Sequence, residues 1–151
     1  MIDFLKSGLA IKLKPEGFIP AAEIARAHEV VAKTNGLVYF STHLPVSDAL
    51  KNQINMLLVY NNEENVCYLG TVRQVLSGDD DSFRPDDAAL YSVPEYAEIP
   101  CATWFLLDSF VDAAPESLAN FYTVKEGISV PEKMNQKGRF PRFYFREMRL
   151  G

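Results

Sequence analysis

Cysteine and histidine are scarce in this chain, with two of each among 151 residues. Cys67 and Cys101 each lie inside an apolar run, NVCYLG and IPCATWF, with no thiol or imidazole at metal-ligand spacing nearby. That pattern gives no support to a disulfide scaffold or a metal site and reads both cysteines as small buried hydrophobes. Long apolar runs are also missing. No stretch of about eighteen apolar residues occurs, so no membrane-spanning helix is expected, and the opening MIDFLKSGLAIKLKPEGF has neither the apolar segment nor the small-residue cleavage site of a secretory leader. The default expectation is a soluble, cytoplasmic chain. Finally, GxSxG, HExxH, the P-loop and GxGxxG are all lacking, which leaves the common hydrolase, metalloprotease and nucleotide-cofactor classes without a motif. No cofactor, resident metal or catalytic residue is expected.

What is present is an ordinary globular composition, 48% hydrophobic and 23% charged. A chain of this length buries a sizeable core as one domain spanning residues 1–151. The net charge of −5 argues against indiscriminate nucleic-acid binding, because a phosphate surface needs Lys and Arg. The charge is unevenly spread, however. Asp79, Asp80, Asp81, Asp86, Asp87, Glu95 and Glu98 crowd around a single Arg84, whereas Lys133, Lys137, Arg139, Arg142, Arg146 and Arg149 dominate the tail against Glu132 and Glu147. The two segments either present separate acidic and basic faces or neutralise one another in the fold.

Along the chain, PAAEIARAHEVVAKTNG carries apolar residues at helical spacing after Pro20 and closes on Asn35-Gly36, a C-cap pair. Leu37 to Ser41 is β-branched and aromatic, and Ser47 or Asp48 is placed to cap a short helix. Asn55 to Tyr60 and Asn65 to Ser77 flank Asn61–Glu64, a polar break of hairpin length, and Gly70 predicts a bulge or sharp bend in the second strand. Gly78 to Pro100, with three prolines and seven acids, reads as a surface excursion of the sort that often carries function. Cys101 to Ala113 returns to strand composition, and Pro115 opens a short helix. The segment RFPRFYFREMRL reads as a strand with aromatics on both faces, pushed to a sheet edge by Pro141 and so offering an edge for pairing with a second copy.

The order of helix, Asn-Gly, LVYFSTH, glycine-centred strand YLGTVRQVLS, acidic Pro- and Tyr-rich loop, tryptophan-bearing strand ATWFLLDSFV and PESLANF resembles the PUA-like superfamily, most closely its EVE branch, over roughly residues 35–145. The family's tryptophan-rich N-terminal segment is absent, and Pro45 to Glu64 lengthens the region between the first two matching strands. The resemblance implies an α+β fold whose strongly twisted antiparallel sheet forms a PUA-like pseudo-barrel with short flanking helices. It also implies a reader of nucleic acid, modified DNA or RNA, that holds a flipped base against an aromatic side chain. By position, Ser41, Thr42, His43 and Trp104 would bind the base, and Lys137, Arg139, Arg142 and Arg146 would contact phosphates. Each has an ordinary reading beside it: a strand-end turn for Ser41 and Thr42, a backbone-bonded loop histidine for His43, a core tryptophan for Trp104 and a solvated edge strand for the cations. Thr123-Val124-Lys125-Glu126 has the residue types of an ASCH-type amidohydrolase among the PUA-like relatives, but not its position. The competing expectation is a protein partner bound through the acidic loop 78–98.

Overall fold

A computed structural model describes residues 6–78, 82–137 and 141–148. Its framework is one seven-stranded sheet of β1 (Ser7–Lys12), β2 (Val38–Thr42), β3 (Met56–Asn61), β4 (Val66–Ser77), β5 (Thr103–Asp112), β6 (Phe121–Thr123) and β7 (Arg142–Glu147), in the order β2-β5-β4-β3-β1-β7-β6. The α+β class holds, with two corrections to the expected architecture. The sheet is mixed, because β1 runs parallel to β3 while the other pairs are antiparallel. It is also open: β2 and β6 are its outer strands among the described residues, and no barrel closes. The aromatic strand β7 is not an edge either, since it lies between β1 and β6, and the edge expected to pair with a second copy is occupied.

One long helix, α1 (Ala21–Asn35), packs across β2, β5 and β4. Ala21, Ala25 and Ala32 let it approach closely, and Leu9, Val38, Phe40, Leu57, Val59, Tyr68, Phe105, Leu107 and Phe110 fill the space beneath. Gly36 ends it at φ 79°, its N–H reaching the carbonyl of Ala32 at 2.9 Å, as the Asn-Gly pair predicts. The start of α1 is less conventional. Pro20 offers no side-chain cap, and the carboxylate of Glu64, from the β3–β4 turn, accepts from the N–H groups of Ala21 at 2.9 Å and Ala22 at 3.1 Å. A negative group thus meets the positive end of the helix dipole and satisfies two donors that the helix cannot.

The opposite face is covered in two patches. Near β7 and β6, a single 3-10 turn (Pro115–Leu118) and α5 (Val130–Met134) cover Leu58, Tyr60, Phe143 and Phe145. Near β2 and β5, the segment expected to be a surface excursion instead folds into α3 (Ala88–Tyr91) and α4 (Pro94–Ala97), burying Ala88, Val93 and Ala97. The remaining helix, α2 (Asp48–Lys51), is one short turn between β2 and β3.

Bulges decide which side chains face which cover. Pairing passes from Thr71↔Ser109 to Val72↔Leu107 and then to Gln74↔Leu106, leaving Asp108 of β5 and Arg73 of β4 unmatched. Each extra residue reverses the alternation, so Phe110, Leu107 and Phe105 all lie under α1 while Trp104 and Leu106 turn to the other face. The irregularity falls one to three residues beyond Gly70. Gly70 itself sits at a close approach: a Cβ there would stand 2.9 Å from a Leu107 methyl and 3.1 Å from the Ser109 carbonyl oxygen.

Replacing Glu64 by Ala is expected to cost about 1–2 kcal/mol of unfolding free energy in urea titration through loss of the cap. Its exposed neighbour Glu63 replaced by Ala is expected to stay within roughly 0.5 kcal/mol of the parent.

Candidate functional site

The residues expected to form one site are dispersed over several. Trp104 is fully buried, its indole N–H donates to the Phe83 carbonyl at 3.0 Å, and Tyr39 meets its ring edge-on at a centroid distance of 5.7 Å. The α3 segment closes over it, held by the Tyr39 hydroxyl donating to Asp87 at 2.6 Å, so Trp104 presents no face on which a base could stack. Burial, then the Asp87 carboxylate, raises the Tyr39 pKa and keeps that hydroxyl a donor. Thr42 forms the strand-end turn, its Oγ1 accepting from the Leu44 N–H at 3.2 Å. Lys137 lines an open groove with Lys12 and Lys14. Arg139 lies outside the described residues, as do Asp79, Asp80 and Asp81.

Arg142 and Arg146 do share a cavity. It encloses about 410 Å³ along β7, between the β6–α5 loop on one side and the α2 region, Leu50 to Ile54, on the other. Alternation along β7 puts Phe143 and Phe145 into the core beside α5 and leaves Arg142 and Tyr144 half-buried and Arg146 exposed. The Arg142 guanidinium donates to the Pro45 carbonyl and lies 6.0 Å from the Tyr144 ring centroid. Four cations, Lys125, Lys133, Arg142 and Arg146, and one carboxylate, Glu126, line the space. Lys133 is buried and ion-paired with Glu126 at 2.7 Å, an arrangement that offsets its desolvation. Lys125 and Arg146 stand at the exposed rim. Sequence reasoning grouped Lys133, Arg142 and Arg146 in one basic tail but did not join Lys125 and Tyr144 to them, because the loop carrying Lys125 is brought to β7 only by sheet pairing.

Ser41 and His43 line a second, smaller cavity of about 160 Å³ with Phe40, His28, Tyr96 and Cys101. His28 is buried and donates from Nδ1 to its own helix at the Ile24 carbonyl, 2.7 Å away, with its ring 5.1 Å from that of Phe40 and stacked 5.7 Å from that of Tyr96. The Tyr96 hydroxyl donates to Glu16 at 3.0 Å. Nε2 of the exposed His43 lies 4.0 Å from Sγ of Cys101. No group of three or more His, Cys, Asp or Glu side chains among the described residues is arranged to hold a metal ion. Also among the described residues, no helix is long and apolar enough to cross a membrane.

No protein-family model matches the chain, and no curated protein or solved structure matches it.

Burial lowers the His28 pKa below its ordinary 6.5, against a smaller opposing effect of the Ile24 hydrogen bond. The folded chain therefore holds His28 neutral where the unfolded chain protonates it, and stability falls as the pH drops below 6.5. Urea midpoints are expected to decrease between about pH 7.5 and 5.5, and His28→Phe to flatten that decrease.

Proposed function

We propose that this chain is a nucleic-acid-binding domain that takes one nucleotide, its base turned out of a stack, into the cavity along β7. The observation that carries this reading is the combination of an apolar cavity of about 410 Å³ with a cationic rim. Ligand sites of this size are mostly apolar with a few converging polar groups. Here Tyr144 supplies flat apolar surface and Arg142 a planar cation already set against its ring, the elements that hold a base by stacking. Arg146 and Lys125 reach solvent where a phosphate would lie.

The net charge of −5 does not oppose this. At physiological salt, charges beyond about 8 Å are largely screened, so a phosphate at the rim responds to the local set, in which four cations face one carboxylate. The resemblance of the sequence to the EVE branch is what favours a modified base as the ligand. The contacts differ from those expected from sequence: Arg142 and Arg146 belong to this site, whereas Ser41, Thr42, His43 and Trp104 do not line it.

A second reading, a surface for a basic protein partner, rests on α3 and α4. Asp86, Glu95 and Glu98 are exposed there beside Leu90, which keeps 64% of its surface in water.

Fluorescence anisotropy with short single strands, and with duplexes carrying an unpaired or modified base, at two salt concentrations separates these readings. Saturable binding that weakens with salt is expected. Arg146→Ala and Lys125→Ala, both exposed substitutions, should each weaken it uniformly across sequences and lower the slope of log K against log salt by about 1. Absence of binding to every probe at low salt, or binding untouched by both substitutions, would overturn the proposal and leave the acidic surface as the better account.

A further inference from the structure

The smaller cavity carries chemistry that the sequence conceals. Cys101 and His43 are 58 positions apart, yet the antiparallel pairing of β2 with β5 sets Ser41 opposite Trp104 and Thr42 opposite Thr103, so the residues just past each strand end converge. Both flanks are fixed. Thr103 Oγ1 donates to the Leu44 carbonyl at 2.8 Å, which holds the turn after His43 against the start of β5, and the Cys101 N–H donates to the Phe83 carbonyl at 2.9 Å. The result is a thiol 4.0 Å from an imidazole nitrogen, both lining a cavity of about 160 Å³ walled by the rings of Phe40, His28 and Tyr96.

From this geometry we propose that Cys101 is a nucleophile, with His43 as its base, toward a small carbon electrophile bearing a leaving group. Thiolate is the reactive form of cysteine, and a neighbouring imidazole that takes the proton is the usual way to populate it. In the step, the thiol proton passes to His43 Nε2, Sγ forms a bond to the electrophilic carbon, and the bond from that carbon to its leaving group breaks, the group departing with the electron pair. The cavity holds roughly five water volumes, which limits the incoming group to a handful of heavy atoms. The rings of Phe40, His28 and Tyr96 line the space beside the sulfur, which favours a small electrophile over a bulky one.

The chain contains its own comparison. Cys67 is also buried, packed among Leu58, Tyr60 and Met134, and its thiol is pushed up to about 11 by burial, with Asp112 and Glu116 adding to the shift. It is expected to be inert under conditions in which Cys101 reacts. The proposal is independent of the nucleic-acid reading, which uses a different cavity.

The test is alkylation of the folded, full-length chain by iodoacetamide near neutral pH, followed by intact mass and assigned by peptide mass mapping. Here Sγ bonds to the methylene carbon and iodide leaves. One adduct is expected, on Cys101, and His43→Gln should slow its formation at least roughly tenfold, with imidazole added to His43→Ala restoring part of the rate. His43 is exposed, so neither variant should impair folding, and unchanged urea midpoints would verify this. Labelling of both cysteines only in urea, labelling of Cys67 first, or a Cys101 rate indifferent to His43 would each overturn the proposal.

Discussion

The insertion of β1 between β3 and β7 is the constraint on which the rest of the sheet depends. Leu9 and Ala10 are fully buried, one beneath α1 and the other beneath α5, and the strand exchanges hydrogen bonds on both edges, parallel to β3 and antiparallel to β7. Without it, β7 and β6 would have no strand pairing to the β2-β5-β4-β3 half, and the cavity along β7 would lose one wall. Gly8 shows how tight the fit is: a Cβ there would stand 2.3 Å from the ring of Phe145 and 2.9 Å from the Met56 carbonyl oxygen. The backbone of β1 is therefore part of the surface against which the Phe145 side chain packs, and Ser7 and Gly8 both line the proposed binding cavity.

The helix on the other face is located by a separate device. Glu64 binds the first two free N–H groups of α1, which ties the β3–β4 turn to the helix start, while the Asn35-Gly36 cap fixes its end just ahead of β2. Between these anchors the paired bulges at Asp108 and Arg73 reverse the alternation of β5 and β4. That reversal sends Trp104 away from α1 to the face that α3 covers, and sets Thr103 and Cys101 beside the end of β2.

Electrostatics divides the molecule more than its net charge indicates. Arg142, Arg146 and Lys125 gather at one end of the sheet, and the exposed acids flanking α3 and α4, Asp86, Glu95 and Glu98, lie toward the other, where α3 packs on β2. Among the described residues, Arg84 pairs with Glu98 within the acidic segment, and Lys133 pairs with Glu126 within the basic one. Local pairing of this kind leaves each rim with its own sign. It is the physical ground for proposing an anionic ligand at the β7 cavity.

The sequence by itself determined the features that rest on local chemistry. The helical period and Asn-Gly cap of α1, the hairpin break at Asn61–Glu64, the strands around Tyr39, Leu58 and Leu106, and the burial of both cysteines were all legible, because each depends on residues a few positions apart. The strand SGLAIK was missed: six residues carry too little periodicity to declare themselves, and their place depends on partners near positions 56 and 145. Likewise, composition identified Arg142 and Arg146 as cations but not their company with Lys125 and Tyr144, and it left Trp104 open between a base-binding role implied by resemblance and a place in the core, because the cover over it comes from a segment that looks like a loop. Tertiary structure alone decided the mixed, open sheet, the closed tryptophan and the meeting of Cys101 with His43. Strand order, register and bulges arise from long-range pairing, and a one-residue shift in pairing moves every side chain to the other face.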